Sequence, residues 1–248
     1  MVPGKSYKLT KQIITDTCDA CDINRGTSMT KLKKELDTQD GTFICKEEAQ
    51  LLMKHKPDIN AQIFDGGTAL YFSAFNGNMD ITRLLLENNA DYNISIHSKQ
   101  SITDTMNNHP SITLDKKKQY LFDILVKHIS SHVTEHVSKK SLDYAFDVEA
   151  GSSPLHIACF MDRINVVRCL IDYSANSNMT KGDGTTPIFY ACEVGHEDIV
   201  RVLLDNRADA QICRIDEKSP SDIATDNGHT SIVMIVTEHM KKKKQFPL

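Results

Sequence analysis

Three histidines at helical spacing are the residues of this chain best suited to metal chemistry. His128, His132 and His136 stand four residues apart and would share one face of a helix. The segment from His132 to His136 also fits the pattern H-x-x-E-H, in which two imidazoles bind zinc and a glutamate, here Glu135, acts as the general base. One hypothesis is therefore a metal-dependent hydrolase that uses His132, Glu135 and His136.

The hydrolase hypothesis requires parts that the sequence does not supply. A zinc protease needs a distant third ligand, a substrate cleft and a much larger catalytic domain. The histidines also run beside an apolar stripe, which predicts one long helix over residues 120–137 with the histidines on its polar flank. The stripe consists of Phe122, Val126, Ile129, Val133 and Val137. We therefore favour a non-enzymatic protein with no catalytic residues.

Two other motifs are poor candidates for a site. Cys18 and Cys21 have the spacing of a zinc-binding pair, but only the lone Cys45 follows nearby, whereas a structural zinc site needs two more ligands. The segment Gly182-Asp183-Gly184 lacks the preceding strand and the lysine of a phosphate-binding loop. The sequence thus predicts no metal site, no cofactor and no small-molecule substrate.

Composition narrows the classes of partner. The chain has 248 residues, a net charge of −4 and a pI of about 6.2, so we expect no nucleic-acid partner. No run near 18 apolar residues predicts a membrane span, and the N-terminus lacks the apolar core of a signal peptide. The seven cysteines form no regular framework and indicate reduced thiols in the cytoplasm. The basic tail 241–248, with Lys241 to Lys244, leaves the nucleus as an alternative.

The chain is organised around a helical hairpin over residues 184–209. Thr186 is a good N-cap, and Pro187 suits the first helical position. Gly195 can end this first helix in the left-handed conformation, and Glu197-Asp198 place negative charge at the start of a second helix. The second helix carries an apolar stripe, which includes Leu203 and needs neighbouring units to be buried.

Neighbouring units recur along the chain with a period of about 33 residues. The Thr186-Pro187 pair has counterparts at Ser153-Pro154 and Ser219-Pro220, and Ala191-Cys192 has one at Ala158-Cys159. Helical hairpins at such a period predict a stacked solenoid. The recurring residues, Ser-Pro-Leu-His-Ile-Ala-Cys and Thr-Pro-Ile-Phe-Tyr-Ala-Cys with trailing Gly-His and Ala-Asp, closely resemble the ankyrin repeat.

The resemblance implies an all-α solenoid of stacked helical hairpins with short β-hairpin fingers. It predicts about six repeats, of which the first and the third are irregular, after an N-terminal extension over residues 1–26. The predicted repeat domain spans 27–240, with repeats at about 27–60, 61–93, 94–147, 148–180, 181–213 and 214–240.

The irregular third repeat is predicted from a gap in the spacing. Thr68 and Ser153, which begin equivalent helices, lie about 85 residues apart, more than two repeats of ordinary length. We interpret this gap as one whole repeat over 94–147 with about 19 extra residues in two insertions. The long helix over 120–137 would be the second helix of this repeat.

Ankyrin repeats bind other proteins, so the resemblance implies a scaffold, an adaptor or an inhibitor. Its binding surfaces would be a concave groove, lined by the two residues after each Ala/Cys pair, and the finger tips. The groove positions are Phe75, Asn76, Phe160, Met161, Glu193, Val194, Asp226 and Asn227. The finger tips add Asp65, Glu149, Asp183, Thr185, Ile215 and Lys218.

The apolar groove residues are expected to be covered. Phe75, Phe160 and Met161 would expose apolar surface, and either a partner or the middle insertion could pack over them. If a partner does so, the acidic residues around them predict its character. Glu149, Asp183 and Asp226 would form an acidic rim, and the partner would then be another protein with an apolar and basic segment.

Overall fold

The protein is described from a computed structural model, which defines residues 49–50, 53–54, 56–108, 113–127 and 131–245. These residues form twelve α-helices and contain no β-strand. The helices are α1 (Ala69–Asn76), α2 (Met79–Glu87), α3 (Lys99–Asn107), α4 (Leu114–Lys127), α5 (Ser131–Ser138), α6 (Leu142–Glu149), α7 (Pro154–Phe160), α8 (Ile164–Asp172), α9 (Pro187–Val194), α10 (Glu197–Asp205), α11 (Pro220–Asp226) and α12 (Thr230–Gln245).

The N-caps, first-position prolines and terminal glycines that were predicted to bound the helices are present in the structure. The side chains of Thr68, Ser153, Thr186 and Ser219 each accept a hydrogen bond from the backbone N–H three residues later. A proline occupies the first position of α7, α9 and α11, where no intrahelical N–H bond is lost. Gly77 and Gly195 end α1 and α9 in the left-handed conformation.

Four hairpins stack side by side to form the solenoid. The first helices of the hairpins pack side by side in one row, in the order α1, α7, α9, α11. The second helices form another row in the order α2, α8, α10, α12. One continuous core of buried apolar side chains runs through the stack and includes Leu155, Ile188 and Leu203. The predicted class, an all-α solenoid of helical hairpins, is confirmed. No helix of the described residues is long and apolar enough to span a membrane.

Hydrogen bonds between neighbouring hairpins reveal where the stack is interrupted in sequence. His196 Nε2 contacts the carbonyl of Phe160 at 3.0 Å, and His229 Nε2 contacts that of Glu193 at 3.2 Å, each across 36 residues. Arg163 Nε makes the equivalent bond to the carbonyl of Phe75 at 3.2 Å, but across 88 residues. The hairpins at 61–93 and 148–180 are therefore direct neighbours in the stack, although a long segment of the chain is inserted between them.

The inserted segment leaves and returns at one turn of the stack. The N–H of His97 donates to the carbonyl of Asp65 at 2.7 Å, and the N–H of Gly151 donates to the carbonyl of His97 at 3.0 Å. We call residues 98–149, with helices α3 to α6, the insertion. Most of the segment predicted as a third repeat over 94–147, from residue 98 onward, therefore lies outside the stack. The spacing from Thr68 to Ser153 also fits a single repeat plus a long insertion.

The long helix predicted over 120–137 is wrong. Helix α4 ends at Lys127, α5 begins at Ser131, and the two helices pack against each other. The predicted stripe is still buried in part, since Val133 and Val137 are inaccessible to solvent. The apolar period is that of a helix on both sides of residues 128–130, and the period alone carries no signal for a change of direction between them.

The turns that precede the first helices are tight. Backbone hydrogen bonds of 2.9 to 3.0 Å close them over residues 63–67, 181–185 and 214–218. Glycines with φ of +90° and +84° occupy the left-handed position in the first two, whereas the last has Glu217 with φ of +65°. The β-hairpin form of these fingers stays a prediction. The N-terminal extension predicted over residues 1–26 and the cysteines at 18, 21 and 45 lie outside the described residues.

Candidate functional site

The insertion lies over the first helices of the stack, where the binding groove was predicted. Helix α5 packs on α9, and the ring of Tyr144 from α6 lies 6.4 Å from that of Phe160. Phe160 in turn contacts Tyr190 edge-on at 5.3 Å. Phe160 and Met161 are completely buried, so the cover over these apolar residues is supplied by the chain itself.

A buried lysine joins the insertion to the stack. Lys117 Nζ lies 2.8 Å from Asp65 Oδ2 in the first turn of the stack and 3.0 Å from Glu149 Oε2 at the end of α6. It also lies 5.4 Å from the centre of the Phe64 ring. Burial by itself would lower the pKa of Lys117, but the Glu149 and Asp65 carboxylates raise it above its ordinary value. The lysine is therefore held in its charged form.

A second polar contact lies over α9. His136 Nε2 lies 3.0 Å from the Tyr144 hydroxyl and 3.7 Å from Glu193 Oε1, which is almost fully buried. Burial and the nearby Glu193 carboxylate raise the pKa of Tyr144 well above its ordinary value. The phenol therefore stays protonated, and Glu193 faces the insertion rather than solvent.

A third polar contact runs from the stack to the insertion. Lys181 Nζ donates to the Tyr190 hydroxyl at 2.6 Å, to the carbonyl of Val148 at 3.4 Å and to that of Asp147. These carbonyls belong to the last turn of α6, where a positive charge is favourable. Burial lowers the pKa of Lys181 to about 8, against an ordinary value of 10.5.

The lowered pKa of Lys181 predicts a pH effect on stability. Between about pH 8 and pH 10.5 the unfolded chain binds more protons at this lysine than the folded one, so raising the pH favours folding. We expect wild type to gain about 1–2 kcal/mol relative to Lys181→Met between about pH 7.5 and pH 9.5. Urea unfolding of both proteins at both pH values measures this, and the comparison cancels the titration of the thiols.

A constant free-energy difference between the two proteins would contradict the burial of a charged Lys181. Lys218→Met is the control, because that lysine is half-exposed and its paired Asp226 raises its pKa. The same pH change should leave its difference from wild type nearly constant.

The structure divides the fourteen predicted partner-binding residues into two sets. They differ in exposure because burial depends on what packs over a helix and not on its repeat position. Seven are buried: Asp65, Glu149, Phe160, Met161, Thr185, Glu193 and Val194. Seven are exposed or half-exposed: Phe75, Asn76, Asp183, Ile215, Lys218, Asp226 and Asn227.

Most of the exposed set lies at the C-terminal end of the stack. Ile215 is 79% exposed at the tip of the last turn, and its N–H donates to the carbonyl of Asp183 at 2.9 Å. Charged residues of the last turn form ion pairs: Arg214 with Asp216, and Lys218 with Asp226 of α11. This surface, which we call the open end, is defined by Asp183, Ile215, Lys218, Asp226 and Asn227.

The histidines of the insertion are not arranged as a metal site in the described part of the chain. His132 is exposed, Glu135 pairs with Lys139 at 2.9 Å, and His136 contacts Tyr144. Among the described residues no group of three histidine, cysteine or carboxylate side chains could hold a metal ion. His128 lies outside those residues. The hydrolase hypothesis therefore receives no support from this geometry.

Several residues that join the insertion to the stack were not predicted. Lys117, Tyr144 and Lys181 carry no repeat signature, since two belong to the insertion and one is replaced at the equivalent positions of other repeats. One feature of the sequence could have pointed to these contacts. The acidic residues Asp65, Glu149 and Glu193 were predicted as a binding surface, and a basic group such as Lys117 is their natural complement.

Two protein-family models match parts of this sequence. A family model described as ankyrin repeats in three copies matches residues 122–216. A second, described as ankyrin repeats in many copies, matches residues 45–86. Together they cover more than half of the chain. No curated protein matches its sequence significantly.

Proposed function

This chain belongs to the ankyrin repeat family, and on that premise we propose that it is a non-enzymatic scaffold, adaptor or inhibitor that binds another protein at its open end. Ankyrin repeats are in general protein–protein interaction modules. The observation that carries the proposal is the exposure of Ile215. Ile215 is 79% exposed and has charged groups near it, an arrangement that resembles the apolar core and polar rim of a protein interface.

Other surfaces of the stack are less favourable as partner-binding sites. The centre of the groove is occupied by the insertion, and Phe160 and Met161 present no surface to a partner. Of the other exposed large apolar residues in the described chain, Met234 lies on α12, and Tyr173 is only 37% exposed. At the open end, contacts from Lys218, Asp226 and Asn227 can surround a partner residue that packs on Ile215.

The character of the partner follows only in part from this surface. The acidic rim from which a basic partner was predicted has little unpaired negative charge. Glu149 is buried against Lys117, and Asp226 pairs with Lys218. For the open end we therefore propose a protein with an apolar contact residue. We propose the cytoplasm as the site of binding, which agrees with the free thiols of Cys159 and Cys192. Action in the nucleus through the lysine-rich tail is the alternative.

Affinity capture from cell extract, followed by mass spectrometry, tests the open end. Wild type is compared with Ile215→Asp, which places a charge at the centre of the proposed contact. We expect at least one protein to be retained by wild type and reduced about tenfold or more by Ile215→Asp, because a hot-spot residue contributes more than about 2 kcal/mol. Circular dichroism checks that the exposed substitution leaves the fold unchanged.

The matched control is Met234→Asp. Met234 is 64% exposed on α12 and lies outside the open end. Capture should be unaffected by this change. Proteins that are retained equally by wild type and both variants, or lost equally in both, would refute binding at Ile215.

A further inference from the structure

The insertion is attached to the stack as an added piece rather than as part of it. Its two ends meet at one turn, where His97 and Gly151 are joined by a backbone hydrogen bond of 3.0 Å. Beneath it, α1 packs directly on α7 and α2 on α8, and Arg163 bonds across this junction to the carbonyl of Phe75. The hairpins on either side are therefore held together without residues 98–149.

The contact between the insertion and the stack places several polar groups among buried apolar side chains. It contains the ion pair of Lys117 with Asp65, the approach of His136 to Glu193, and the bonds from Lys181 to α6. Buried ion pairs recover little net stability compared with apolar residues of similar size. A permanent contact needs none of them, whereas polar contacts are usual between parts of a chain that move relative to each other.

Polar pairing in this contact is also incomplete. The Tyr71 hydroxyl is buried and has no hydrogen-bond partner in the described part of the chain. Burial raises the pKa of Tyr71, and the Glu149 and Asp65 carboxylates add to the rise. Glu149 Oε2 has only the ionic contact with Lys117. An unpaired buried polar group weakens the contact that buries it.

Removal of the insertion would uncover a surface of defined chemistry on the first helices of the stack. Phe160, which lies against Tyr144, would give it an apolar centre, and Asp65 and Glu193 would give it two carboxylates. The insertion now satisfies this surface with an aromatic ring, Tyr144, and with two basic groups, Lys117 and His136. The occupant that fits is thus helical, basic and aromatic.

We infer that the groove beneath the insertion is a second binding surface, which residues 98–149 occupy in cis and which a helical partner segment bearing a basic and an aromatic residue binds in their place. This inference deepens the proposed function and rests on it, since it adds a gated surface to an interaction module. The partner is a protein segment whose lysine or arginine pairs with Asp65 or Glu193 and whose aromatic ring packs on Phe160.

The tether makes the insertion a strong competitor. A segment that is covalently attached is present at an effective concentration in the millimolar range. If the groove is open in about one molecule in a thousand, the apparent affinity of a partner is about a thousandfold below its intrinsic affinity. A change that weakens the attachment of the insertion should therefore strengthen binding from outside.

The probe for this competition is a fluorescein-labelled synthetic peptide of residues 114–149, titrated with the full chain by fluorescence anisotropy. We expect the peptide to bind the Lys117→Ala variant at least about tenfold more tightly than wild type, because the tethered insertion has lost its bond to Asp65 while the peptide retains it. A peptide carrying Lys117→Ala and Tyr144→Ala should bind the same variant at least about tenfold more weakly.

Lys118→Ala is the matched control in the chain. Lys118 is adjacent in sequence, and its partner Asp143 belongs to the insertion itself and is exposed. This variant should bind the peptide as wild type does. Equal affinity for wild type and both variants, or the absence of peptide binding to all three, would overturn the inference.

Hydrogen exchange separates release of the insertion from global unfolding. In Lys117→Ala we expect the amides of α4 to α6 to exchange at least about tenfold faster than in wild type, with α9 and α10 unchanged. If α9 and α10 lose protection together with α4 to α6, the insertion is an integral part of one folding unit and the inference is wrong. Neither measurement involves Ile215, so failure at the open end and failure at the covered groove are distinguishable.

Discussion

Truncation of Phe160 and Met161 together to alanine is expected to lower the free energy of unfolding by about 5 kcal/mol or more. Both side chains are fully buried, and Phe160 contacts Tyr144 of the insertion and Tyr190 of the next repeat. A buried phenylalanine truncated to alanine costs about 3–5 kcal/mol and a methionine about 2–5, and neighbouring sites add imperfectly. Urea unfolding followed by circular dichroism measures the loss.

The matched control for this change is Met234→Ala. That methionine is 64% exposed, so its truncation should change stability by less than about 0.5 kcal/mol. A double variant at 160 and 161 that is as stable as wild type would mean that the insertion does not pack on these residues. Binding of a partner at Ile215 should be unchanged by either substitution under conditions where the protein is folded.

Replacement of Leu203 by alanine is expected to cost about 2–5 kcal/mol. Leu203 is completely buried on α10, which packs on the second helices before and after it in the stack. The change removes methyl groups from the continuous core and leaves a cavity that the rigid hairpins fill only in part. The midpoint of urea unfolding, with an unchanged dependence on urea concentration, reports this loss.

Ile215→Ala serves as the control for Leu203, because it removes a similar aliphatic group from a side chain that is 79% exposed. Its effect should stay below about 0.5 kcal/mol. A loss of less than about 1 kcal/mol for Leu203→Ala would mean that the repeat register of α10 is incorrect.

The sequence was sufficient to predict the stacked hairpins because their signals are local. Thr186 caps α9, Pro187 begins it, and Gly195 ends it, all through interactions within a few residues. The same signals recur near Ser153 and Ser219, so the helix boundaries follow from the repeat. The buried stripe around Leu203 follows equally from helical periodicity.

The sequence could not place the insertion, because spacing constrains length and not path. The gap between Thr68 and Ser153 fits either two repeats with two short insertions or one repeat with a single long insertion. The bond from Arg163 to the carbonyl of Phe75 makes the two hairpins neighbours and so favours one repeat with a single long insertion. The division into two packed helices, α4 and α5, was missed for a similar reason, since the apolar residues keep one helical period in both helices.

The sequence by itself thus determined the helices of the stacked hairpins, their repeat and the family, because caps, turns and apolar periods act over short distances along the chain. It also identified apolar residues such as Phe160 and Met161 as a surface that needs a cover. Only the tertiary structure decided what the cover is. Contacts such as Lys117 with Asp65 join residues that are 52 positions apart, and their formation depends on how α4 to α6 pack as a body, which no local pattern specifies.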